Sequence, residues 1–267
     1  VYDWLKNFVR KISARYELFM IFAEAVDVPT IIILFLFTLL ASSVQRVTGF
    51  GFGIIVMTMF PYMLPSYGEA TALSGLLAVV TAMLPALRTA KYVPWKKLIP
   101  ILLTFLAVSF VAVHIVTRVD SRDLKHILGL VLILISLYFF FLSDRIHIRP
   151  TVPLQIGLGT LSGMMGGLFA MQGPPAVIYF MSASSDKREY IALTQWYFFS
   201  GNLMMSLFRA RAGLVTPAVM EGWLVGVPAV LAGLWIGSRL FDRIRIELLR
   251  KLVYAFLGLS GVVAIVL

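Results

Sequence analysis

The sequence predicts an all-α polytopic membrane protein built from two homologous halves. Its 267 residues are 60% hydrophobic and only 13% charged, whereas soluble domains carry about 25% charged residues. Several apolar runs reach the ~20 residues that a helix needs to cross the bilayer. One run in each half is interrupted by glycine. Because lipid offers no hydrogen-bond partners, such a break must line a cavity, and paired breaks are typical of a transporter's substrate site.

Charge and cysteine content exclude several other classes of protein. The formal net charge is +10, but most Lys and Arg residues lie in short loops, where they orient a membrane protein and meet anionic lipid. No basic stripe alternates with stacking aromatics, so we expect no nucleic-acid partner. The chain has no cysteine and only three scattered histidines, so we expect neither disulfides nor a metal site. We also expect no organic cofactor.

The first half begins after an amphipathic segment. Residues 1–27 mix basic, aromatic and apolar positions, and we expect an interfacial helix rather than a signal peptide. The first membrane repeat, 28–142, opens with an interrupted element at 30–64, best explained by a bent or hairpin pair of helices. Three ordinary spans follow, at 68–87, 97–117 and 123–142.

A polar linker, 143–153, precedes a second membrane repeat at 154–267. An interrupted element at 154–183 is followed by spans at 187–208, 216–238 and 246–266. Pro94 and Pro217 each open a span, and the two halves align with an offset of 121–124 residues. We therefore predict a two-fold internal repeat and about eight to ten membrane helices.

The repeats are either inverted or parallel in the membrane. If each broken element is a hairpin, a repeat has an odd number of crossings and the halves are inverted. This arrangement places 13 Lys and Arg residues inside and nine outside, against 12 and ten for parallel halves. The positive-inside rule therefore favours inverted repeats.

The two breaks are the candidate substrate site. Glycine permits unusual backbone angles, proline cannot continue a helix, and the N-terminus of a half-helix attracts an anion. Close packing of helices at small residues is the alternative explanation. The candidate residues in the breaks are Thr48, Gly49, Gly51 and Gly53 in the first and Gly166, Gly167, Gln172, Gly173 and Pro174 in the second.

Four further polar residues lie close to the breaks or within a span. Gln45 and Arg46 immediately precede the first break. Arg46 is the leading anion-binding candidate, because a guanidinium matches oxyanions in bidentate fashion; the alternative is an Arg that extends to the headgroups. Gln195 and Asn202 share one face of a span, where they either line the pathway or bond between helices.

Charged residues at the ends of spans have two interpretations as well. Glu69 and Glu221 are candidates for coupling to protons or cations, and the alternative is a solvated helix cap. Arg209 and Arg211 either attract an anion or mark a loop. No hydrolase, kinase, redox or nucleotide-binding motif is present, so we expect that the protein is not an enzyme.

These motifs resemble the TauE/SafE family, the sulfite exporter or TSUP anion permease family. The matching segments are Gln45 to Gly53, Gly166-Gly167, Gln172 to Pro175 with Tyr179, Pro228 to Gly233, and Gly237 to Arg239. Many members carry a Gly-Gly-Gly run in each half. Here Phe52 interrupts the first run and the second ends in Gly-Pro-Pro, which is typical of a distinct subgroup.

The resemblance implies a multi-pass carrier of the inner cell membrane that moves sulfite, sulfonates or other organosulfur or related organic acids. From the paired breaks and the repeat we expect it to work by alternating access. The alternatives are an anion channel, a non-transporting subunit of a complex, and a membrane enzyme acting on lipid-linked substrates. Without an ATP-binding motif, a gradient of protons or sodium is the expected driving force. The expected partners are a small anion and the bilayer, and a homodimer is left open.

Overall fold

The computed structural model describes residues 28–141, 150–240 and 246–266. The predicted N-terminal helix at 1–27 and most of the linker at 143–153 lie outside these ranges. The described residues form eleven α-helices and one 3₁₀ turn, at Ala90–Tyr92. In chain order the helices are α1 (Val28–Thr48), α2 (Phe52–Val56), α3 (Phe60–Met63), α4 (Tyr67–Thr89), α5 (Trp95–Val116), α6 (Ser121–Phe141), α7 (Val152–Phe169), α8 (Gly173–Ala183), α9 (Lys187–Arg211), α10 (Pro217–Leu240) and α11 (Ile246–Val266).

Polar side chains cap the N-termini of helices α4 and α9. The Ser66 hydroxyl accepts a hydrogen bond from the Glu69 backbone N–H at the start of α4. The Asp186 carboxylate accepts bonds from the N–H groups of Glu189 and Arg188 at the start of α9. These bonds satisfy orphan donors of the first turn, and they lower the pKa of the Asp186 carboxyl below its ordinary value.

The protein is an all-α, multi-pass membrane protein, as predicted. Six described helices are long and apolar enough to cross a bilayer: α1, α4, α5, α6, α7 and α10. The helix α9 is 25 residues long but carries charged residues in its first and last turns. Large apolar side chains such as Leu103, Leu134 and Trp235 are 61%, 56% and 61% exposed. Lipid rather than water is the solvent that suits such a surface.

Glycines allow helices of one half to pack tightly on helices of the other. The helix α10 runs parallel to α1, and a Cβ at Gly237 would lie 2.8 Å from the Arg46 Cβ. The helix α7 runs parallel to α5 in the same way, and a Cβ at Gly163 would lie 2.8 Å from the Phe105 carbonyl oxygen. This is the small-residue packing that membrane helices favour.

Two other pairs are antiparallel. In the pair α4 and α9, Gly75 lies beside Ser206 near one end, and the Arg188 guanidinium lies 5.8 Å from the Tyr92 ring at the other. In the pair α6 and α11, Gly129 lies beside Gly261. Further along α6, the Ser136 hydroxyl donates to the Tyr254 carbonyl, which lies nearer the start of α11.

The helix directions also show how the first broken element is folded. Gln45 of α1 bonds to Thr81 of α4, while Leu34 and Leu73, nearer the helix starts, both flank Gly222. The helices α1 and α4 are therefore parallel, and the segment between them returns across the structure. Antiparallel packing of α4 on α9 and of α6 on α11 is what inverted repeats require, since an in-plane two-fold axis reverses equivalent helices. The repeat relationship itself stays a prediction.

Candidate functional site where two broken helices meet

The first break is a tight turn stabilised by Thr48. Gly49 and Gly51 have positive φ angles of 89° and 107°, a region that L-residues with a side chain rarely adopt. The Thr48 hydroxyl donates to the Phe50 carbonyl at 2.7 Å and to the Val44 carbonyl at 2.9 Å. These contacts tie the turn at Phe50 back to the last part of α1.

The second break ends α7 at an unusual residue. Ala170 has a φ of 57° and is the only non-glycine residue with positive φ in the described part of the chain. Its N–H donates to the Gly166 carbonyl, and the next N–H donates to Met165, so the turn closes the helix as a left-handed cap. The Ser162 hydroxyl donates to the Gln172 carbonyl at 2.5 Å, which holds the segment leading into α8.

The two breaks meet each other. A Cβ at Gly53 would overlap the Ala170 carbonyl, so only glycine allows this approach. Beside the contact lies a cavity of about 30 Å³, enough for one or two water molecules. Its lining residues are Gln45, Gly51, Phe52, Gly53, Ile54, Ala78, Ala170, Met171, Gln172, Gly173, Phe198 and Asn202.

Three buried amide side chains supply the polar groups of this cavity. The Gln45 Nε2 donates to the Thr81 hydroxyl at 2.8 Å, and its Oε1 accepts from the Phe52 N–H at 3.1 Å. Asn202 Nδ2 donates to the Phe198 carbonyl at 2.8 Å. Gln172 Nε2 makes a longer bond of 3.4 Å to the same carbonyl, while its Oε1 has no partner among the described residues.

A wider vestibule of about 610 Å³ opens next to the small cavity. Arg46 and Lys187 are exposed on its wall, and Gln195 Nε2 reaches the Gly49 carbonyl at 3.3 Å. Gln45 lines both spaces, so its side chain stands between them. The vestibule is lined by Gln45, Arg46, Val47, Thr48, Gly49, Thr81, Pro85, Lys187, Tyr190, Ile191, Gln195, Leu234 and Ser238.

The predicted site residues line the small cavity, line the vestibule or lie outside both. The small cavity contains Gln45, Gly51, Gly53, Gln172, Gly173 and Asn202. The vestibule contains Gln45, Arg46, Thr48, Gly49 and Gln195. Neither is lined by Gly166, Gly167 or Pro174.

Gly166, Gly167 and Arg46 lie away from the contact between the breaks. Gly167 packs against Ala112 of α5, and Gly166 against Phe105, so both act in helix packing. Arg46 is exposed at the vestibule instead of lying at the contact between the breaks.

The two glutamates lie apart from both spaces. Glu69 is 8% exposed and forms a reciprocal cap, because its Oε2 accepts from the Ser66 hydroxyl that caps its own N–H. Glu221 is partly buried in the first turns of α10. Neither side chain lines the cavity or the vestibule.

Sequence reasoning missed one group with a strong structural signal. Arg209, interpreted as an attractor or a loop marker, is fully buried in the last turn of α9. It follows Asn202 by seven residues, the spacing that keeps two residues on one helix face. That spacing was the available signal, and it extends the polar face already recognised at Gln195 and Asn202.

Comparison with known proteins places this geometry in a family. No curated protein and no solved structure matches the chain. The family model described as "Sulfite exporter TauE/SafE" matches residues 34–264, which include both breaks, the cavity and the vestibule. This is a family of membrane anion transporters and not of enzymes. The chain belongs to the sulfite exporter TauE/SafE family.

Proposed function

We propose that the protein is a secondary carrier of small oxyanions, such as sulfite, sulfonates or related organic acids, and that substrate passes the contact between the two breaks. One observation carries this proposal. The breaks of both halves line one polar cavity, and that cavity adjoins a vestibule with two exposed cations. A single broken helix could be a local irregularity, but two that meet form a site.

The chemistry of the cavity suits an anion. The amides of Gln172 and Asn202 carry N–H donors that can turn towards an oxyanion. The eleven-residue helix α8 begins at Gly173, on the cavity wall, and its dipole presents partial positive charge there. Arg46 and Lys187 raise the local anion concentration in the vestibule.

The shape of the open path supports transport by alternating access. The vestibule reaches the small cavity from one side, and Gln45 separates the two. We propose that the halves are inverted repeats, so that rocking one against the other opens the opposite side. The antiparallel pairs α4–α9 and α6–α11 support this arrangement.

A gradient of protons or sodium would drive transport, since the chain carries no nucleotide-binding motif. Glu69 and Glu221 stay candidates for coupling, and Glu69 would have to release its bond to Ser66 to take part. We place the carrier in the inner cell membrane. Replacing each glutamate with glutamine and measuring flux against a pH gradient or a sodium gradient tests this assignment.

Flux through the purified chain in proteoliposomes tests the proposed function. We expect saturable uptake of radiolabelled sulfite or a sulfonate. We expect Gln172→Ala to reduce this uptake by about tenfold, because a hydrogen bond from the side-chain amide to a charged ligand is lost. The matched control is Gln155→Ala, since Gln155 is equally buried but bonds to the Lys97 carbonyl, away from the cavity.

Other outcomes would assign a different function. Flux that rises linearly with concentration identifies a channel. Absence of flux with every anion identifies a subunit that needs a partner. Equal loss in the Gln172 and Gln155 variants would remove the cavity from the pathway.

A further inference from the structure

Arg209 is a buried cation that the cavity and the vestibule do not contain. Its side chain is 0% exposed. The Nη2 atom donates to the Gly166 carbonyl at 2.9 Å and to the Gly167 carbonyl at 3.3 Å. These carbonyls belong to the last turn of α7, where the helix dipole is negative. The guanidinium therefore caps the end of the broken helix.

The cap uses only part of the guanidinium. The Nε and Nη1 atoms have no hydrogen-bond partner in the described ranges. Nη1 and the Ser206 hydroxyl both border Gly75, since a Cβ at Gly75 would be 2.8 Å from Nη1 and 3.3 Å from that oxygen. The hydroxyls of Ser206, Ser74 and Tyr67 are likewise buried and unpartnered within residues 28–141, 150–240 and 246–266.

Such a cluster lacks a negative charge. A buried cation is costly unless it is paired, and helix carbonyls supply only partial charge. Among the residues described, no carboxylate bonds to Arg209, and the Lys97–Glu189 ion pair lies at the opposite end of α9. Buried polar groups normally have hydrogen-bond partners, so the unpartnered guanidinium N–H groups and hydroxyls indicate a position for a polar ligand, and the positive charge favours an oxyanion.

The cluster continues the polar face that borders the cavity. Along α9, Ser206 and Arg209 follow Asn202 by one and two turns. Along the antiparallel α4, Ser74 lies one turn before the cavity residue Ala78. A Cβ at Gly53 would lie 3.7 Å from the Ser74 hydroxyl. Hence Ser74 borders the contact between the breaks, and Gly75, the next residue along α4, borders Ser206 and Arg209.

We propose that Arg209, Ser206 and Ser74 form a second, inner position for the transported oxyanion, and that this position prefers a monovalent anion. The proposal rests on the transport function proposed above. An anion that leaves the cavity past the Gly53–Ala170 contact meets the guanidinium and hydroxyls next. One guanidinium neutralises one negative charge. A divalent anion would retain an uncompensated charge in a buried site, which is unfavourable.

Serine variants test the inner position without removing the helix cap. Ser74→Ala and Ser206→Ala delete hydroxyls that make no hydrogen bond within the described protein, so we expect the ligand-free melting temperature to stay the same or rise. We expect methanesulfonate affinity, measured by calorimetry on the purified protein, to fall by about tenfold in each variant. Wild-type protein should bind methanesulfonate more tightly than sulfate, its divalent counterpart.

A matched pair of arginine variants tests the charge. Arg209→Gln should weaken methanesulfonate binding more than either serine variant does, whereas Arg211→Gln, which removes an exposed charge two residues away, should leave the affinity within about twofold of wild type. Arg209→Lys keeps the charge and can still donate to the carbonyls, so it provides a folded variant if the glutamine variant does not fold. We expect it to bind more weakly than wild type, because it loses the planar set of donors.

The outcomes separate this proposal from the transport function. If wild-type protein binds and transports anions but the serine variants retain full affinity, the inner position is wrong and the carrier assignment stands. Tighter binding of sulfate than of methanesulfonate would overturn the monovalent preference. If wild-type protein neither binds nor transports any anion tested, the carrier assignment itself fails.

Discussion

Gly53 of the first break packs directly against the backbone carbonyl of Ala170 in the second, with no space for a side chain between them. The two residues come from opposite halves of the chain and occupy corresponding breaks. Their contact holds α2 and α8 beside one cavity. Any movement of one half against the other must change this contact. Its fit therefore bears on the stability of the site and, in the carrier that we propose, on the passage of substrate.

Gly53→Ala should impair transport strongly. The added Cβ would overlap the Ala170 carbonyl, and because backbone atoms cannot move aside as a flexible side chain can, the breaks must separate. Overpacking typically costs about 1–3 kcal/mol of stability. We therefore expect a lower melting temperature and, because the breaks separate, at least a tenfold loss of flux. Flux and melting temperature in the same detergent-purified protein check this.

Gly157→Ala is the matched control for that substitution. Gly157 lies in α7, and an added Cβ would meet nothing within 4 Å. Alanine has the higher helix propensity, by about 1 kcal/mol, so stability should be unchanged or improved. A loss of flux equal to that of Gly53→Ala would show that the contact between the breaks has no special role.

Arg46→Ala should weaken anion capture in a manner that depends on salt. Arg46 is exposed on the vestibule wall, where its charge is screened over about 8–10 Å at physiological salt. We expect a several-fold lower apparent affinity at low ionic strength and little effect at high salt. Arg88→Ala, an exposed arginine outside the vestibule lining, is the control. Complete loss of binding at every salt concentration would instead place Arg46 in the binding site.

Gln45→Met should change the rate of exchange between the vestibule and the cavity. Methionine has a similar volume but cannot bond to the Thr81 hydroxyl or accept from the Phe52 N–H. The start of α2 would lose its link to α1, so we expect faster or leakier exchange, visible as anion efflux without a driving gradient. Retention of tightly coupled flux would show that this amide does not act as a gate.

Cysteines at Lys91 and Arg211 should label from opposite sides of the membrane. The chain has no native cysteine, so single substitutions report without background. Lys91 lies just after α4 and Arg211 in the last turn of α9, and these helices are equivalent in the predicted repeat and antiparallel. Lys187→Cys should label from the same side as Lys91→Cys, because Arg188 contacts Tyr92 beside it. Labelling of Lys91→Cys and Arg211→Cys from one side would favour parallel repeats.

Most helices could be located from hydrophobicity alone. The predicted spans at 97–117 and 123–142 correspond to α5 (Trp95–Val116) and α6 (Ser121–Phe141), and the span at 246–266 coincides with α11. The breaks were equally visible, because glycines, or glycine with two prolines, cluster at each of them and make a helix unfavourable there. Gln45, Gln172 and Asn202 were recognisable as polar residues that an apolar segment retains only for a reason.

Tertiary packing decided which of these residues share a space. Gly166 and Gly167 carry the same sequence signal as Gly51 and Gly53, yet they pack against α5, while the latter pair lines the cavity. Arg46 and Arg209 are both arginines at helix ends, yet one is exposed and the other fully buried.

The sequence by itself determined a multi-pass helical protein with two glycine-rich breaks, because hydrophobic length and backbone geometry are local properties. Only the tertiary structure decided that the breaks touch at Gly53 and Ala170, and that Arg209 rather than Arg46 is the buried charge. These depend on how helices far apart in the chain pack across one another. No local pattern records that packing.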